Sequence, residues 1–189
     1  MNKILVIGGA GYIGSHMLLA LEDDDQKYEI TVFDNFSQGN INSCKVNRVF
    51  CGDLRNRGDI EKCFIECQPD LVIHFGALAN VGESIRLPNL YYENNVVGSL
   101  NLLSVMLQFD VKKIIFSSTC AIYGDPQKLP ISETHSKKPI NPYGYSKLII
   151  EKVLDDYSKS YGLSSISLRY FNAAGCDEKG RAFEQHDPE

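Results

Sequence analysis

A tyrosine and a lysine stand four residues apart in the run Tyr143-Gly144-Tyr145-Ser146-Lys147. If this run is helical, both side chains lie on one face of the helix, and Pro142 just before them suits a first helical turn. A tyrosine has an ordinary pKa of about 10, so it acts as a base near neutral pH only where positive charge stabilises the phenolate. Lys147 is a source of that charge. The pair predicts a general base, although the same spacing also arises on ordinary amphipathic helices.

A hydroxyl-rich run, Ser117-Ser118-Thr119, ends a short apolar segment upstream of that pair. In open α/β folds, ligands bind outside the carboxyl ends of the strands. We therefore predict that Thr119 donates a hydrogen bond to the substrate oxygen whose proton Tyr143 removes, with Ser118 as the alternative substrate-binding hydroxyl. The other interpretation is that these hydroxyls only cap the end of the strand.

Glycines recur at Gly8, Gly11 and Gly14, directly after the apolar run at residues 3–7 and at the start of a helical pattern. Such glycines permit a tight turn, close approach of the backbone to a pyrophosphate, and close packing of helix on strand. Free N–H groups and the helix dipole favour negative charge at that helix terminus. The pattern predicts a dinucleotide site, and its place after a strand makes this interpretation stronger than glycine spacing alone.

Two aspartates end the strands that follow. Asp34 stands twenty residues after Gly14, where a carboxylate can accept hydrogen bonds from the adenosine ribose and repel a 2′-phosphate. Residues 35–39 contain no arginine, so the sequence predicts NAD rather than NADP as the cofactor. Asp53 is predicted to meet the adenine amino group, and its alternative role is that of a turn or helix-capping aspartate.

The elements that position these residues alternate between strands and helices. Apolar, β-branched runs predict strands, and apolar residues recurring every three to four positions predict helices. The predicted strands are 3–7, 29–33, 46–51, 70–75, 112–117 and 164–170, and the predicted helices are about 13–21, about 60–67, 88–109 and 143–161. This alternation predicts an α/β fold of the Rossmann type, a doubly wound parallel sheet with helices on both faces.

Composition narrows the class of protein. The 189 residues are 43% hydrophobic and 23% charged, with a net charge of −5, which predicts one globular domain without a large basic surface for nucleic acid. The apolar runs are shorter than the roughly 20 residues that span a bilayer, and the N-terminal residues lack the pattern of a signal peptide. The sequence therefore predicts a soluble cytoplasmic protein that binds neither nucleic acid nor a membrane.

Six cysteines occur without paired CxxC spacing, and a domain of this size needs no disulfides, so reduced thiols are expected. Cys63 and Cys67 stand four apart on a predicted helix, which supplies half of a four-ligand metal site. Because the sequence offers no second cysteine or histidine pair nearby, we interpret the two residues as small side chains on a half-buried helix face. The sequence predicts no metal.

Several longer strings, taken in order, resemble the extended short-chain dehydrogenase/reductase family, and within it the UDP-glucose 4-epimerases. They cover essentially the whole chain and lie at residues 8–14, 34–35, 53–54, 74–78, 81–84, 91–95, 117–119, 143–147 and 168–172. Beside the glycines and the catalytic residues, the resemblance implies NAD contacts from Tyr12, Ile13, Asp34, Asn35, Phe36, Ser37, Gln38, Gly39, Asp53, Leu54, Phe75, Gly76, Ala77, Leu78, Ala79, Asn94 and Phe171. It also implies that Asn172 meets the substrate diphosphate.

The resemblance implies a reaction as well. Tyr143 takes the proton from the 4-hydroxyl of a UDP-hexose, UDP-glucose or UDP-galactose, while the C4 hydride passes to NAD; the 4-keto sugar then turns over and is reduced on its other face. Lys147 lowers the pKa of the tyrosine and holds the nicotinamide ribose. Gly76 and Ala79 stand where relatives often carry alanine and lysine, and Thr119 replaces a common serine. Each departure is expected to be tolerated.

The resemblance further implies a division of the chain. Residues 1–175 form the NAD-binding domain, and residues 176–189 begin a C-terminal substrate-binding region that is incomplete. The family continues for roughly another domain, which holds the uridine and most of the sugar, so epimerase activity is expected of the complete protein. A homodimer through the helices at 88–109 and 143–161 is also what the family implies.

Three alternatives accompany this interpretation. A 4-epimerase of another UDP-sugar shares all the residues named above, because sugar selection lies largely in the missing region. A non-catalytic NAD-binding module fits the shorter chain, although such a module does not require Tyr143 and Lys147. A nucleotide-sugar 4,6-dehydratase is disfavoured, because Cys120-Ala121 follows Thr119 where that reaction needs an Asp-Glu pair.

Overall fold

The computed structural model describes residues 2–44, 46 and 48–182. Its centre is a parallel sheet of six strands in the order β3-β2-β1-β4-β5-β6. The strands are β1 Asn2–Ile7, β2 Tyr28–Asp34, β3 Arg48–Cys51, β4 Leu71–His74, β5 Lys113–Thr119 and β6 Ser164–Tyr170. This sheet confirms the predicted α/β fold of the Rossmann type.

The helices between the strands are α1 Tyr12–Asp23, α2 Arg57–Cys67, α3 Val81–Arg86, α4 Pro88–Tyr91, α5 Gly98–Gln108 and α6 Pro142–Tyr161. Three of them begin at an asparagine whose side chain accepts a hydrogen bond from a first-turn N–H: Asn56, Asn80 and Asn141. Such caps satisfy donors that a helix start leaves free. Within the described part of the chain, no helix combines the length and apolar character needed to cross a membrane.

Most element boundaries lie within one to three residues of the predicted ones, and two differences are informative. Helix α3 has no predicted counterpart, because six residues are too few to display an apolar period; its signal is Asn80 followed three residues later by Glu83, a capping pattern. Strand β3 begins at Arg48 rather than at position 46. Val46 lies in a bend, and Asn47 lies outside the described residues.

The predicted helix at residues 88–109 contains a change of helix type. Its middle is a π-helical turn, Tyr92–Val97, between α4 and α5. Turns of this kind widen a helix by one residue and frequently lie at functional sites. This one presents Asn94 and Asn95, two of the polar residues described below.

Apolar layers cover both faces of the sheet. On one face, residues of the strands such as Leu5 and Phe116 pack against α2, α5 and α6. On the other face, Ile4, Val6 and Val32 pack against α1. Because the central strands are buried on both faces, they appear in the sequence as continuous apolar runs. Helices therefore lie on both faces, as predicted.

The strand order reverses between β1 and β4. From β1 the chain winds outward through β2 and β3, and then returns to the centre to wind the other way through β4, β5 and β6. In sheets of this type, such a switch point leaves a crevice at the carboxyl ends of the strands. The residues with predicted chemistry lie at this edge.

Candidate functional site

A cleft lies at this edge, at the carboxyl ends of β1, β2 and β4. It is lined by most of the predicted cofactor residues: Gly8, Gly11, Asp34, Asn35, Ser37, Gln38, Gly39, Leu54, Phe75, Gly76, Ala77, Leu78 and Asn94. Sequence reasoning missed Ile7, Phe33 and Gly52, which also line it. Their signal is position, since Ile7 and Phe33 lie at the ends of β1 and β2, and Gly52 directly follows β3.

The turn from β1 into α1 is packed so closely that it requires glycine. Gly8 has a φ of +75°, and a Cβ at this position would lie 2.5 Å from the Gly76 nitrogen. A Cβ on Gly14 would lie 2.2 Å from the Gly8 carbonyl oxygen. Gly11 is the N-cap of α1, and the first turn carries no acidic residue. The N–H groups of that turn therefore suit an anion such as a pyrophosphate.

Asp34 is the last residue of β2, and two backbone groups hold its carboxylate at the cleft. Oδ2 accepts a hydrogen bond from the Ala10 nitrogen at 2.9 Å, and Oδ1 accepts one from the Phe36 nitrogen at 2.8 Å. A carboxylate offers about four acceptor positions, so each oxygen can accept a further hydrogen bond. This arrangement fits the paired hydroxyls of a ribose.

Asp53 occupies a turn, the alternative role for this residue. Its Oδ1 accepts a hydrogen bond from the Arg55 nitrogen at 2.8 Å, and the Arg55 guanidinium binds both carboxylate oxygens. The hydrogen bonds from Arg55 lower the pKa of Asp53 to about 2. Helix α2 is capped by Asn56, and Asp53 lies outside the lining of the cleft. Its contact with an adenine stays a prediction.

Other predicted cofactor residues also lie outside that lining: Tyr12, Ile13, Gly14, Phe36, Ala79 and Phe171. Gly14 is buried under the glycine turn, where its role is packing. The Tyr12 hydroxyl donates to the Gly175 carbonyl oxygen at 2.7 Å. Phe171 and Asn172 are exposed just beyond the end of β6. The predicted contacts of these residues with cofactor or substrate stay predictions.

The predicted catalytic residues meet where β5 faces α6. Tyr143 lies in the first turn of α6, and its hydroxyl lies near enough to Thr119, the last residue of β5, for Thr119 to lower its pKa. Lys147, one turn later, is 3% exposed, and its Nζ donates to the Ser117 carbonyl oxygen at 2.8 Å. The same Nζ lies 5.0 Å from the centre of the Phe116 ring. The structure therefore brings Tyr143, Lys147 and Thr119 together.

The Thr119 hydroxyl caps a short helix and also lies near the Tyr143 hydroxyl. Its Oγ1 accepts a hydrogen bond from the Ala121 nitrogen at 3.2 Å and so caps the short 3-10 helix Cys120–Tyr123. Because the oxygen is the acceptor in that contact, its hydrogen is left to donate toward Tyr143. The capping role and the contact with Tyr143 are therefore compatible.

The two titratable residues of α6 have shifted pKa values. Burial raises the pKa of Tyr143, and its hydrogen bond with Thr119 acts in the opposite direction. Burial lowers the pKa of Lys147 to about 7, because the charged form is disfavoured away from water. Lys147 is not among the groups that shift the pKa of Tyr143 in this structure, so the lowering of the tyrosine pKa by Lys147 stays a prediction.

One turn beyond Lys147, Glu151 gathers a buried network that sequence reasoning missed. Its carboxylate accepts hydrogen bonds from Ser118 Oγ at 2.7 Å, from Arg169 Nε and Nη2 at 2.8 and 2.9 Å, and from Lys137 Nζ at 2.9 Å. Ser118 is 2% exposed, and its hydroxyl is committed to Glu151. In the structure Ser118 joins the end of β5 to α6, and its role in substrate binding stays a prediction.

Asn95, in the π-helical turn, joins the cleft to α6 and was also missed. Its Nδ2 donates to the Leu78 carbonyl oxygen at 2.9 Å and to Ser146 Oγ at 3.1 Å, and its Oδ1 accepts from the Leu78 nitrogen at 2.9 Å. Ser146 Oγ donates in turn to the Tyr143 carbonyl oxygen at 2.7 Å. These contacts hold the cleft loop at residues 75–79 against the first turn of α6.

Comparison with known proteins agrees with this arrangement. The chain is 47% identical over 188 residues to the UDP-glucose 4-epimerase of Rhizobium leguminosarum bv. trifolii, covering 100% of this chain and 57% of the relative. The crystal structure of UDP-glucose 4-epimerase from Brucella ovis in complex with NAD matches with a TM-score of 0.96 at 44% identity, covering 100% of this chain and 57% of that one. The UDP-Glc/GlcNAc 4-epimerase of Campylobacter jejuni matches with a TM-score of 0.87 at 41% identity, covering 95% and 56%.

The chain therefore spans little more than half the length of these relatives. The matched portion contains both the cleft and α6. A family described as the NAD dependent epimerase/dehydratase family matches residues 4–187, nearly the whole chain. On this evidence, the chain belongs to the NAD dependent epimerase/dehydratase family.

Proposed function

We propose that this chain is the NAD-binding part of a UDP-glucose 4-epimerase, which interconverts UDP-glucose and UDP-galactose through a 4-keto sugar. The observation that carries the proposal is the meeting of Tyr143, Lys147 and Thr119 beside a cleft suited to a dinucleotide. The 47% identity to the Rhizobium UDP-glucose 4-epimerase supports the same assignment.

The cleft residues fit NAD. The glycine turn at Gly8 leaves no room for a Cβ, and the first turn of α1 offers N–H groups to a pyrophosphate. Asp34 offers spare acceptors to the ribose hydroxyls, and its negative charge disfavours a 2′-phosphate. When bound, NAD supplies reversible hydride acceptance at C4 of the sugar. We assign the remaining contacts with NAD to the residues that line the cleft. We also assign a contact to Phe171, which directly follows β6.

We assign to α6 the removal and return of the proton of the sugar 4-hydroxyl. Tyr143, as the phenolate, accepts that proton at its oxygen and returns it to the 4-oxygen after the keto sugar has presented its other face, while Thr119 donates a hydrogen bond to the same 4-oxygen. Burial raises the pKa of Tyr143, so the phenolate requires additional positive charge in the closed site. Lys147 holds the first turns of α6 to β5 through the Ser117 carbonyl oxygen. We also assign to Lys147 a contact with the nicotinamide ribose.

The proposed substrate site involves the C-terminal residues of the chain. We propose that residues 1–175 bind the cofactor and that residues 176–189 begin the substrate-binding region, with Asn172 near the substrate diphosphate; positions 183–189 lie outside the described residues. The relatives are longer, since this chain covers 57% of the Rhizobium epimerase. Turnover is therefore a property of a longer protein that completes the substrate site.

Other functions have weaker support. The UDP-Glc/GlcNAc 4-epimerase of Campylobacter jejuni has the same fold at 41% identity, so a 4-epimerase of another UDP-sugar is the second candidate. A dehydratase lacks its acidic pair, because Cys120 and Ala121 follow Thr119. A non-catalytic NAD-binding module does not account for a buried lysine one turn from a tyrosine at the edge of the cleft.

A homodimer completes the proposal. Large apolar side chains are exposed along α6 and at the end of the π-helical turn: Val97, Tyr145 and Ile149 are 46%, 47% and 39% exposed. Exposed apolar patches of this kind often mark interfaces between subunits. We assign this surface to pairing with a second copy of the chain, which sedimentation of the purified protein at several concentrations measures directly.

Conversion of UDP-glucose to UDP-galactose tests the proposed function. The 189-residue chain is assayed alone and as a chimera continued with the C-terminal part of the Rhizobium relative. We expect the chimera to interconvert the two sugars and the chain alone to be inactive. A folded chimera that contains NAD but converts neither UDP-glucose nor UDP-N-acetylglucosamine would contradict the proposal, and conversion of the acetylated sugar alone would favour the second candidate.

A further inference from the structure

Cys63 and Cys67 face each other on the buried side of α2. Their Sγ atoms are 4.0 Å apart and share a hydrogen bond, and the two residues are only 1% and 4% exposed. Residues four apart lie on one face of a helix, so α2 presents the two thiols as a pair. The structure thus supplies what the sequence spacing lacked, a direct contact between the two sulfurs.

A second cleft opens next to this pair. It has a volume of about 430 Å³ and is lined by Thr31, Arg48, Val49, Phe50, Cys63, Glu66 and Cys67. It shares no lining residue with the cofactor cleft. The cleft gives a small ion both a route to the sulfurs and space beside them, although the cysteine side chains themselves are buried.

The two thiols differ in acidity: their shared hydrogen bond, with burial and Glu66 acting the same way, raises the pKa of Cys63, whereas the pKa of Cys67 is lowered. The hydrogen bond from the Cys63 thiol lowers the pKa of Cys67; burial opposes this shift, and the cations Arg48 and Lys3 reinforce it. The thiolate is the form of cysteine that ligates metal ions. Arg48 and Glu66 both line the same cleft, and the Arg48 guanidinium is paired with Glu29 at 2.6 Å.

We propose that Cys63 and Cys67 form a two-coordinate site for Cu(I). Soft thiolate ligands select Cu(I), which is satisfied by two sulfurs in a near-linear arrangement. Zinc instead takes four ligands, and among the described residues no group of three or more His, Cys, Asp or Glu side chains is arranged for a metal. The proposed site therefore needs only two ligands, whereas the metal site considered from the sequence spacing would need four.

The distances and charges are compatible with that ion. Two metal–sulfur bonds of about 2.3 Å, the length of zinc–thiolate bonds, span about 4.6 Å end to end. The sulfurs, now 4.0 Å apart, therefore need only a small outward rotation of each side chain. Binding releases the two thiol protons and forms two Cu–S bonds without any change in the oxidation state of copper. The site then carries one net negative charge beside Arg48.

Competition for Cu(I) tests the site. The reduced 189-residue chain is titrated under argon against the coloured complex of Cu(I) with bicinchoninate. We expect the chain to withdraw one Cu(I), and the variants Cys63→Ser and Cys67→Ser, each with a single sulfur left, to bind it at least about tenfold more weakly. The matched control is Cys51→Ser, which removes an exposed cysteine of β3 and is expected to leave Cu(I) binding unchanged.

X-ray absorption at the copper edge makes the test independent of whether the variants fold. In the unsubstituted chain we expect two sulfur neighbours and no nitrogen or oxygen neighbour. Failure to withdraw Cu(I), a third ligand in the spectrum, or equal loss of binding in Cys51→Ser would each overturn the proposal. NAD content, measured on the same samples, is independent of this site, so failure here leaves the proposed function untouched.

Discussion

The cofactor cleft is formed mainly by backbone groups, whereas the α6 end of the site, meaning Tyr143, Lys147, Glu151 and their partners, is formed mainly by side chains. In the cleft, Gly8 and Gly14 pack against neighbouring main chain, and main-chain N–H groups hold Asp34. The α6 end is held by buried polar side chains, chiefly Lys147 and Glu151. A substitution that adds atoms should therefore destabilise the cleft through a steric clash. A substitution that removes a side chain should destabilise the α6 end, because it leaves a buried polar group without its partner.

The largest effect is expected from Tyr143→Phe in the chimera described above. Removal of the hydroxyl eliminates the proposed general base, so we expect the rate of epimerisation to fall by about 10²–10⁴-fold with NAD content unchanged. Tyr145→Phe is the matched control, because Tyr145 is exposed two residues away. Equal activity in the two variants would show that the α6 end does not perform the chemistry.

Gly14→Ala tests the backbone character of the cleft. A Cβ there would lie 2.2 Å from the Gly8 carbonyl oxygen, whereas a Cβ on Gly11 would meet the same oxygen at 3.5 Å. We expect Gly14→Ala to lower the free energy of unfolding by more than about 2 kcal/mol and to lose NAD. Gly11→Ala should cost less than about 1 kcal/mol. Urea denaturation measures both, and similar losses would contradict the packing argument.

Glu151→Ala tests the side-chain character of the α6 end. It leaves the Arg169 guanidinium and the Ser118 hydroxyl without their shared acceptor. We expect a loss of about 2 kcal/mol in unfolding free energy, less than for a fully buried ion pair because Lys137 and Arg169 are partly exposed. Asp156→Ala, which breaks an exposed pair with Lys152 on the same helix, should cost less than about 0.5 kcal/mol.

Lys147 is expected to make stability depend on pH. Its pKa is lowered to about 7 in the folded chain and is about 10.4 when unfolded, so between these values the unfolded state binds more protons and stability rises with pH, by up to about 1.4 kcal/mol per pH unit. Unfolding of the chain and of Lys147→Met is compared from pH 6 to pH 10. A constant difference between them would mean that Lys147 stays charged at the α6 end.

Most residues that line the backbone-built cleft are ones that sequence reasoning had assigned to the cofactor, and their contacts with NAD stay predictions. These residues belong to short runs, such as the glycine turn from Gly8 to Gly14 and the strand-end Asp34, and each run has a local physical purpose. Strands buried on both faces likewise appear as apolar runs. Asp53 shows what such runs do not reveal. Its position after β3 suggested a free carboxylate, but the Arg55 guanidinium binds both of its oxygens.

The side-chain networks of the α6 end were beyond sequence reasoning for a different reason. Glu151 takes its partners from positions 14 to 33 residues away, and Asn95 reaches Ser146 across 51 residues. No short pattern records such pairings. The same holds for Lys147, since its spacing from Tyr143 predicts a shared helix face but not the burial that lowers its pKa.

The nucleotide content of the purified 189-residue chain tests the central claim most directly. The chain is denatured, and the released small molecules are assayed enzymatically for NAD and NADP, with Gly14→Ala as the control for a damaged cleft. We expect NAD at about one molecule per chain in the unsubstituted protein, no NADP, and little NAD in the variant. A folded chain that releases no NAD and takes up none when NAD is added would contradict the account.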